Sequence, residues 1–442
     1  MHNWYRVLFA SLAVRDFRNL WLGNFASTIG YWAQTVGQGW LAYTLTDSAA
    51  FLGVLGVSRA LPALVVTLPA GVLADRWDRR VILLVSQFLA MVNSFVLAYL
   101  VATDSTQPWH LLATAIVSGL VHSFNMPARQ SLAPELAGSE HLANAVALNA
   151  ISFNSSRILG PALAGLLIGV WGLSACFTAQ AVGLAWAMVW TASLPSKGPS
   201  SRTRAGASLW TNLVDGLRYI RNSPAAMRLL AVSAIPIGVG MVYLQLMPVF
   251  ARDVLNVGAS GMGALMSAVG AGSVLGAFAA AAISHYPRQA RIQMLAGCAL
   301  GVALAIFAAS TWVTIALVTL VLVGGVQAIL QAVNQTLLNL VTPNEYRGRV
   351  MSVYLMTWNM APLIWLPAGW LADFIGAPIT IVLSGGVVIA AILAIGLRQV
   401  EGAQVDRVEH AAPEREALTT PARANGTVRP TPYAEPSGTP RA

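Results

Sequence analysis

The residues whose types and spacing could do chemistry form polar stripes on apolar segments. One stripe, with intervals of 3, 4, 3 and 4 residues, consists of Asn24, Ser27, Tyr31, Gln34 and Gln38. Two more consist of Ser118, His122, Asn125 and Arg129, and of Gln327, Gln331 and Asn334. At these intervals each stripe lies along one face of a helix. Such faces can form hydrogen bonds and charge pairs with a ligand.

Two interpretations of the stripes stay open. A polar face on a helix surrounded by lipid must turn toward protein or toward a water-filled cavity. The stripes therefore line a binding cavity or join neighbouring helices by hydrogen bonds. Trp358, deep in its apolar segment, adds a ring on which a bulky ligand could stack.

Two arginines, Arg59 and Arg157, lie inside apolar segments, where an unpaired charge costs at least about 2.5 kcal/mol. We predict that Asp47 pairs with Arg59. No carboxylate shares the segment of Arg157, and an anionic substrate would satisfy that arginine. Since every Asp and Glu lies in a loop, at a segment end or in the tail, His122 is the candidate for proton coupling. A histidine bonded between helices is the alternative.

Signs of soluble-enzyme chemistry are absent. The sequence shows no phosphate-binding loop with lysine, no Cys/His metal spacing and no nucleophile elbow. We therefore expect no enzyme activity, no cofactor, no metal and no nucleotide.

The elements that position these residues are membrane helices. Of 442 residues, 56% are hydrophobic and only 10% are charged, with a mean hydropathy of +0.65. Soluble proteins contain about 25% charged residues. The net charge of +9 resides mostly in short loops between apolar segments, so it requires no nucleic-acid partner. Composition indicates an all-α protein that crosses the bilayer many times.

Twelve apolar spans, in two sets of six, are each near or above the roughly 20 residues that a crossing needs. The first set is 19–45, 51–74, 81–102, 109–130, 141–169 and 173–194. The second is 226–251, 259–283, 290–310, 312–340, 346–372 and 377–397. The predicted regions are an N-terminus (1–18), a six-helix bundle (19–194), a linker (195–225), a second bundle (226–397) and a disordered tail (398–442).

Arginines fall almost entirely on alternate loops. By the positive-inside rule both termini and the linker are cytoplasmic in a multi-pass protein of the cell membrane. The linker ends in an amphipathic pattern of Leu209, Leu213, Leu217 and Ile220. This predicts a helix that lies in the headgroup region or packs under the bundle.

An internal repeat supports two related halves. The segment Arg129-Gln130-Ser131-Leu132 aligns with Asn334-Gln335-Thr336-Leu337 at an offset of 205 positions, and Asn154 falls on Asn359. The matched pieces are spans four to five and spans ten to eleven, as duplication of a six-helix unit requires.

The loop after the second span resembles a known signature. Gly71-Val72-Leu73-Ala74-Asp75-Arg76-Trp77-Asp78-Arg79-Arg80 is similar to G-x-L-A-D-R-x-G-R-K of the major facilitator superfamily, with Asp78 in place of a glycine. A plain positive-inside loop would explain the arginines but not the ordered glycine and aspartate. Within that superfamily, Leu20-Trp21-Leu22-Gly23 and Arg347-Gly348-Arg349-Val350 resemble the transmembrane secretion effector branch, which includes siderophore and macrolide exporters.

The resemblance implies specific sites. A cytoplasmic gate would consist of Gly71, Asp75, Arg76, Arg79, Arg80, Arg347 and Arg349. In it Asp75 would dock near residues 345–350 when the outside is open, and Arg76 or Arg79 would reach Glu135 or Glu140. Gly160, Pro161 and Gly165 resemble the superfamily's antiporter motif, although Ala164 replaces one glycine. Spans one, four, seven and ten would line a cavity with Asn24, Tyr31, Gln34, Gln38, His122, Asn125, Gln327, Gln331 and Asn334. Arg157 on span five and Trp358 on span eleven are further candidate cavity residues.

The resulting prediction is a monomeric secondary transporter in the bacterial inner membrane. It would export a small organic molecule, a siderophore, drug or metabolite, by alternating access, with protons as the coupling ion. An importer with the same fold and a membrane sensor that moves nothing are the alternatives.

Overall fold

The computed structural model describes residues 9–195, 209–286 and 288–395, and the side chains of residues 67–76 and 209–213 lie outside the description. The expected tail at 398–442 and the side chains of the gate residues Asp75 and Arg76 therefore fall outside the described part of the chain.

The described residues form long helices joined by short loops. The first five are α1 Arg15–Thr46, α2 Ala49–Arg76, α3 Arg79–Ala102, α4 Pro108–Trp171 and α5 Ser174–Ala192. The next four are α6 Leu209–Asn222, α7 Pro224–Gly238, α8 Gly258–Ala282 and α9 Gln289–Ala309. The last three are α10 Val313–Val341, α11 Asn344–Ile375 and α12 Ala377–Ile395. Most of these bounds agree with the predicted spans to within a few residues. The exceptions are α7, which ends at Gly238 and not at 251, and α4, which continues past the predicted end at 130.

Helix α4 is long enough for two crossings. Its 64 residues include Gly138, whose φ of 75° and ψ of 166° interrupt the helix. A residue with a side chain rarely adopts this φ, so glycine allows the chain to reverse here. We call residues 108–137 α4a and residues 139–171 α4b.

Twelve crossings result. Within the described ranges, nine helices are long and apolar enough to cross a membrane, and α4 is one of them. Helices α1 and α11, of 32 residues each, have the length but a more polar composition. The architecture is the twelve-helix fold that the sequence predicts.

The repeat is visible in the helix bounds. Helix α4 begins at Pro108 and α10 begins 205 residues later, at Val313. The break at Gly138 corresponds, at the same offset, to Pro343 between α10 and α11. The α4a–α4b pair and the α10–α11 pair are therefore equivalent in length and in the position of their break.

Helix α7 loses its regularity near its end. Pro236 removes one backbone donor, and the chain continues as short helices, Val242–Gln245 and Met247–Val249, followed by a π-helical turn at Phe250–Val254. Phe250 and Tyr243 are nonetheless fully buried, which fixes this irregular stretch inside the bundle.

Candidate functional site

The bundle has two ends, named here by residues at each. Because successive helices run in opposite directions, the α1–α2 turn at Asp47 lies at one end, the Asp47 end. The α2–α3 turn beside Arg79 lies at the other, the Arg79 end. The π-helical turn that contains Arg252 and the end of α11 that contains Asp373 also lie at the Asp47 end.

Helices α2 and α11 cross closely in the half of the bundle nearest the Asp47 end. A Cβ built on Gly53 would lie 2.7 Å from the Cα of Leu366, and one on Gly369 would lie 2.5 Å from the carbonyl oxygen of Ala49. Real side chains do not fit at such distances, so glycine permits this contact between backbones.

Helices α4b and α8 cross in the same half. A Cβ on Gly263 would lie 2.5 Å from the carbonyl oxygen of Pro161, and one on Gly165 would lie 2.8 Å from that of Ser260. Ser267 Oγ also donates to the carbonyl oxygen of Ile158 at 3.0 Å. The glycines and proline of the antiporter-like motif thus bring α4b against α8.

Charged groups link the two halves of the chain at the Asp47 end. Arg252 forms an ion pair with Asp47, and its guanidinium carbon lies 4.9 Å from the ring centroid of Tyr43. The hydroxyl of Tyr43 donates to Asp253. Together with the two glycine crossings, these contacts close the bundle at this end.

The predicted Asp47–Arg59 pair is wrong. Asp47 binds Arg252, while Arg59 Nη2 donates to the side-chain oxygen of Gln38. The amide group of Gln38 in turn donates to Leu111 O and Thr114 Oγ1, both at 3.4 Å. Arg59 lies three turns from the start of α2, too deep in its helix to reach the turn that contains Asp47.

The middle of the bundle contains an exposed imidazole. His122 lies halfway along α4a and is exposed, and its ring stacks on Tyr31 of α1 at 6.1 Å between centroids. Two turns further along α4a, Arg129 Nη1 donates to the side-chain oxygen of Asn24. Because this exposed face turns toward polar groups of α1, it borders a wet space and not lipid.

Arg157 of α4b lies beside the same part of α1. Its guanidinium carbon is 5.8 Å from the ring centroid of Trp32, and it interacts electrostatically with Tyr243 beyond the end of α7. A Cβ at Gly160 would overlap Trp32, so this glycine lets α4b approach the indole. Arg157, almost one turn earlier, is thereby placed over the ring.

Other stripe residues join helices. Ser94 Oγ donates to Gln34 Oε1 at 2.7 Å, and Asn125 Nδ2 donates to Ser86 Oγ at 3.0 Å, so both stripes are bonded to α3. Gln38 is fully buried and bonded to Arg59. For Gln34, Gln38 and Asn125 the structure shows the interhelical alternative.

The stripe on α10 contains one residue bonded between helices and two that line a cleft. Asn334 accepts from Gln293 of α9 at 2.5 Å and donates to Ser233 of α7. Gln327 and Gln331 line a narrow cleft between α7 and α10, and Tyr243 donates to Gln327 Oε1 at 3.5 Å. Trp358 is partly buried and packs against the hydrophobic cluster that includes Leu229 of α7 and Val350 of α11.

Arg79 Nη1 lies 2.8 Å from Glu135 Oε2, which is one of the contacts that the gate prediction names. Of the other gate candidates, Arg80 donates to the carbonyl oxygen of Ala192. Arg347 Nη2 donates to the carbonyl oxygen of Asn339 at 3.2 Å.

Helix α6 packs under the bundle, against the start of α11. Asp215 forms an ion pair with Arg349 at 3.3 Å, and the ring of Tyr219 stacks on that of Tyr346 at 4.8 Å. Ile220 is buried beside them. This is the second of the two placements predicted for the linker helix.

The structure gives four residues surroundings that helical spacing did not predict. Tyr43 and Asp253 are linked across the bundle, and Asp373 binds the first amides of α2. Trp32 has a buried indole N–H with no acceptor among the described residues. Helical spacing gave no signal for any of them, because each interaction joins distant helices.

The chain matches the family described as "Transmembrane secretion effector" over residues 7–428. The chain belongs to this family. It is 23% identical to the Staphyloferrin A transporter of Staphylococcus aureus, over 80% of this chain and 88% of the relative. It is 27% identical to the multidrug efflux pump Tap of Mycolicibacterium fortuitum, over 76% and 84%. It is 23% identical to the enterobactin exporter EntS of Escherichia coli, over 71% of each chain.

Solved structures share the fold of this secretion effector. The bacterial homologue of the human lysosomal transporter Spinster, in an inward-facing and unoccupied conformation, superposes with a TM-score of 0.71 at 14% identity. It covers 86% of this chain and 96% of its own. The nucleoside transporter NupG superposes with a TM-score of 0.67 at 15% identity, covering 86% and 98%. The chain is therefore a multi-pass membrane protein of the major facilitator type, a transporter and not an enzyme.

Proposed function

We propose that this secretion effector exports a small organic molecule by alternating access, driven by a proton gradient. The observation that supports it best is the asymmetry of the bundle. Close helix crossings and ion pairs join its halves at the Asp47 end, while His122 stays exposed at mid-bundle. A polar site closed toward one end and wet from the other is one of the two states that alternating access requires.

The direction of transport follows from the proposed orientation. The arginines concentrate at the Arg79 end and at both ends of the chain, so the positive-inside rule makes that end cytoplasmic. In this state the site then faces the cytoplasm, where an exporter collects its substrate. The relatives named as siderophore and drug exporters support the same direction.

Proton coupling rests on His122. It is the only titratable imidazole on the polar face shared by α1 and α4a in the described structure, and it lies next to Tyr31 and Arg129. An imidazole can bind and release a proton, as a coupling residue must. One experiment can therefore test both whether protons are the coupling ion and whether His122 binds them.

The experiment is counterflow in proteoliposomes that contain the purified full-length chain. Vesicles are preloaded with an unlabelled compound that producing cells release through this protein, and the labelled form is added outside. A transporter produces transient uptake of label. Arg291→Gln, at the start of α9, is the matched control and should take up label like the wild type. A sensor produces none. Efflux from preloaded cells then separates an exporter from an importer.

A further inference from the structure

The charged groups in the middle of the bundle are all positive. Arg59, Arg129 and Arg157 lie inside α2, α4a and α4b, whereas the sequence has no Asp or Glu at positions 17–46, 48–74, 105–134 or 141–214. Carboxylates of these helices are confined to their ends. These half-buried arginines therefore each need a neutral acceptor, water or a ligand.

Two of these arginines already have an acceptor. Arg129 donates to Asn24 and Arg59 donates to Gln38, both on α1. Arg157 has no hydrogen-bond acceptor among the described residues, and its guanidinium carbon lies 5.8 Å from the ring centroid of Trp32. The buried indole N–H of Trp32 also lacks an acceptor in the described part of the chain. Two neighbouring donors are thus left without an acceptor.

The three arginines also form a row along α1. Their contacts fall at Asn24, Trp32 and Gln38, which spans about 21 Å of helix at 1.5 Å per residue. The exposed ring of His122, which stacks on Tyr31, lies beside this row. A positive row in a low-dielectric wall attracts anions and repels cations.

We propose that the substrate is an organic anion whose carboxylate or equivalent acidic group binds the guanidinium of Arg157 and the indole N–H of Trp32. An anion supplies the acceptor that both groups lack and compensates the charge of Arg157. The indole ring offers an apolar face to the rest of the ligand. This inference rests on the proposed transport function and names the class of its substrate.

The test compares three probes that differ only in their polar group: benzoate, benzylamine and benzyl alcohol. Their binding to the purified full-length protein in detergent is measured by equilibrium dialysis at neutral pH. Benzoate is expected to bind about tenfold more tightly than the other two, because a hydrogen bond to a charged group is worth that much. Equal affinities, or no binding of any probe, would overturn the proposal.

Variants assign the preference to this site. Arg157→Gln should weaken benzoate binding about tenfold, and Arg157→Lys should weaken it less. Trp32→Phe keeps the ring, removes the N–H and should lower the affinity several-fold. Arg291→Gln should bind benzoate like the wild type. Unchanged benzoate affinity in both Arg157→Gln and Trp32→Phe contradicts the assignment, and Trp32→Phe still decides the question if Arg157→Gln does not fold.

The outcome is separable from that of the transport experiment. A protein that moves a cation or a neutral compound would show counterflow but no preference for benzoate. A sensor of anions would prefer benzoate and show no counterflow.

Discussion

Asp373, near the end of α11, accepts a hydrogen bond from the backbone amide of Ala49, the first residue of α2, at 2.6 Å. It also accepts from the amide of Ala50 at 3.0 Å and from the hydroxyl of Ser48 at 2.8 Å. The first amides of a helix lack partners within that helix and favour a negative charge. Here a residue from the other half of the chain caps α2, so the cap can form only while the Asp47 end is closed.

The first prediction concerns this cap. Asp373→Ala removes both carboxylate oxygens, leaving Ser48 Oγ to accept from the amide of Phe51. It should cost the closed state about 1 kcal/mol, a severalfold shift toward opening at the Asp47 end. The distance between spin labels at Asp104 and Trp312, two exposed positions at that end, should then show a larger long-distance fraction. Asp16→Ala, in the first turn of α1, is the control. Identical distance distributions in Asp373→Ala and the wild type would show that the cap does not hold the two halves.

The second prediction separates Arg59 from Arg157. Because Arg59 satisfies the buried oxygen of Gln38, Arg59→Leu should destabilise the protein by about 1–3 kcal/mol. The readout is the midpoint of thermal unfolding in detergent. Adding Gln38→Leu removes the stranded acceptor and should restore part of the loss. A midpoint unchanged by Arg59→Leu, or no recovery in the double variant, contradicts a structural role for this pair.

The third prediction concerns Arg349, which the proposed gate and helix α6 share. Asp215 forms an ion pair with Arg349 at 3.3 Å in the present state. When the Arg79 end closes, the proposed gate would bring Asp75 to residues 345–350, which include Arg349. Asp215→Asn should therefore favour closure at the Arg79 end. The pair is partly exposed, so the expected shift is at most a few-fold.

This shift can be measured by the labelling rate of a cysteine at the exposed Gln130, near the Arg79 end, with a bulky maleimide. The background is Cys298→Ser, since the other cysteine, Cys176, is buried. Labelling should slow in Asp215→Asn. Faster labelling would mean that α6 favours closure instead of opposing it.

The fourth prediction concerns coupling. Substrate-induced proton movement in proteoliposomes, followed with a pH-sensitive dye inside the vesicles, should be lost in His122→Gln, because no other imidazole lies on the polar face of α4a. His110→Gln, at the exposed start of α4a, is the matched control and should keep the signal. A proton signal of unchanged size in His122→Gln would exclude the imidazole and direct attention to Asp373 and Glu135 at the helix ends.

Helix positions were predictable from the sequence because they depend on local hydropathy and length. Most pairings between helices were not, and the Arg79–Glu135 contact was expected only from the family resemblance. Asp47 was assigned to Arg59 on the neighbouring helix, whereas its partner Arg252 lies 205 positions away. Periodicity locates a side chain on a face but does not say which distant helix covers that face.

The stripe on α1 illustrates the same limit. Its five residues share one face, and that face changes character along the bundle. Asn24 and Tyr31 meet Arg129 and His122 beside the wet space, whereas Gln34 and Gln38 lie nearer the closed Asp47 end and bond to neighbouring helices. Only the three-dimensional structure divides the stripe into a part beside the wet space and a part bonded to neighbouring helices.

The central claim is export, and the most direct measurement is comparative metabolomics of culture supernatants and cell extracts. One strain is a deletion that lacks this chain. Three others are the same deletion complemented with the wild type, with Arg157→Gln or with Arg291→Gln. The account predicts an organic anion that appears in the medium with the wild type and with Arg291→Gln, and that accumulates inside cells with the deletion and with Arg157→Gln. Depletion of a compound from the medium by the wild type, with no compound released, would contradict it.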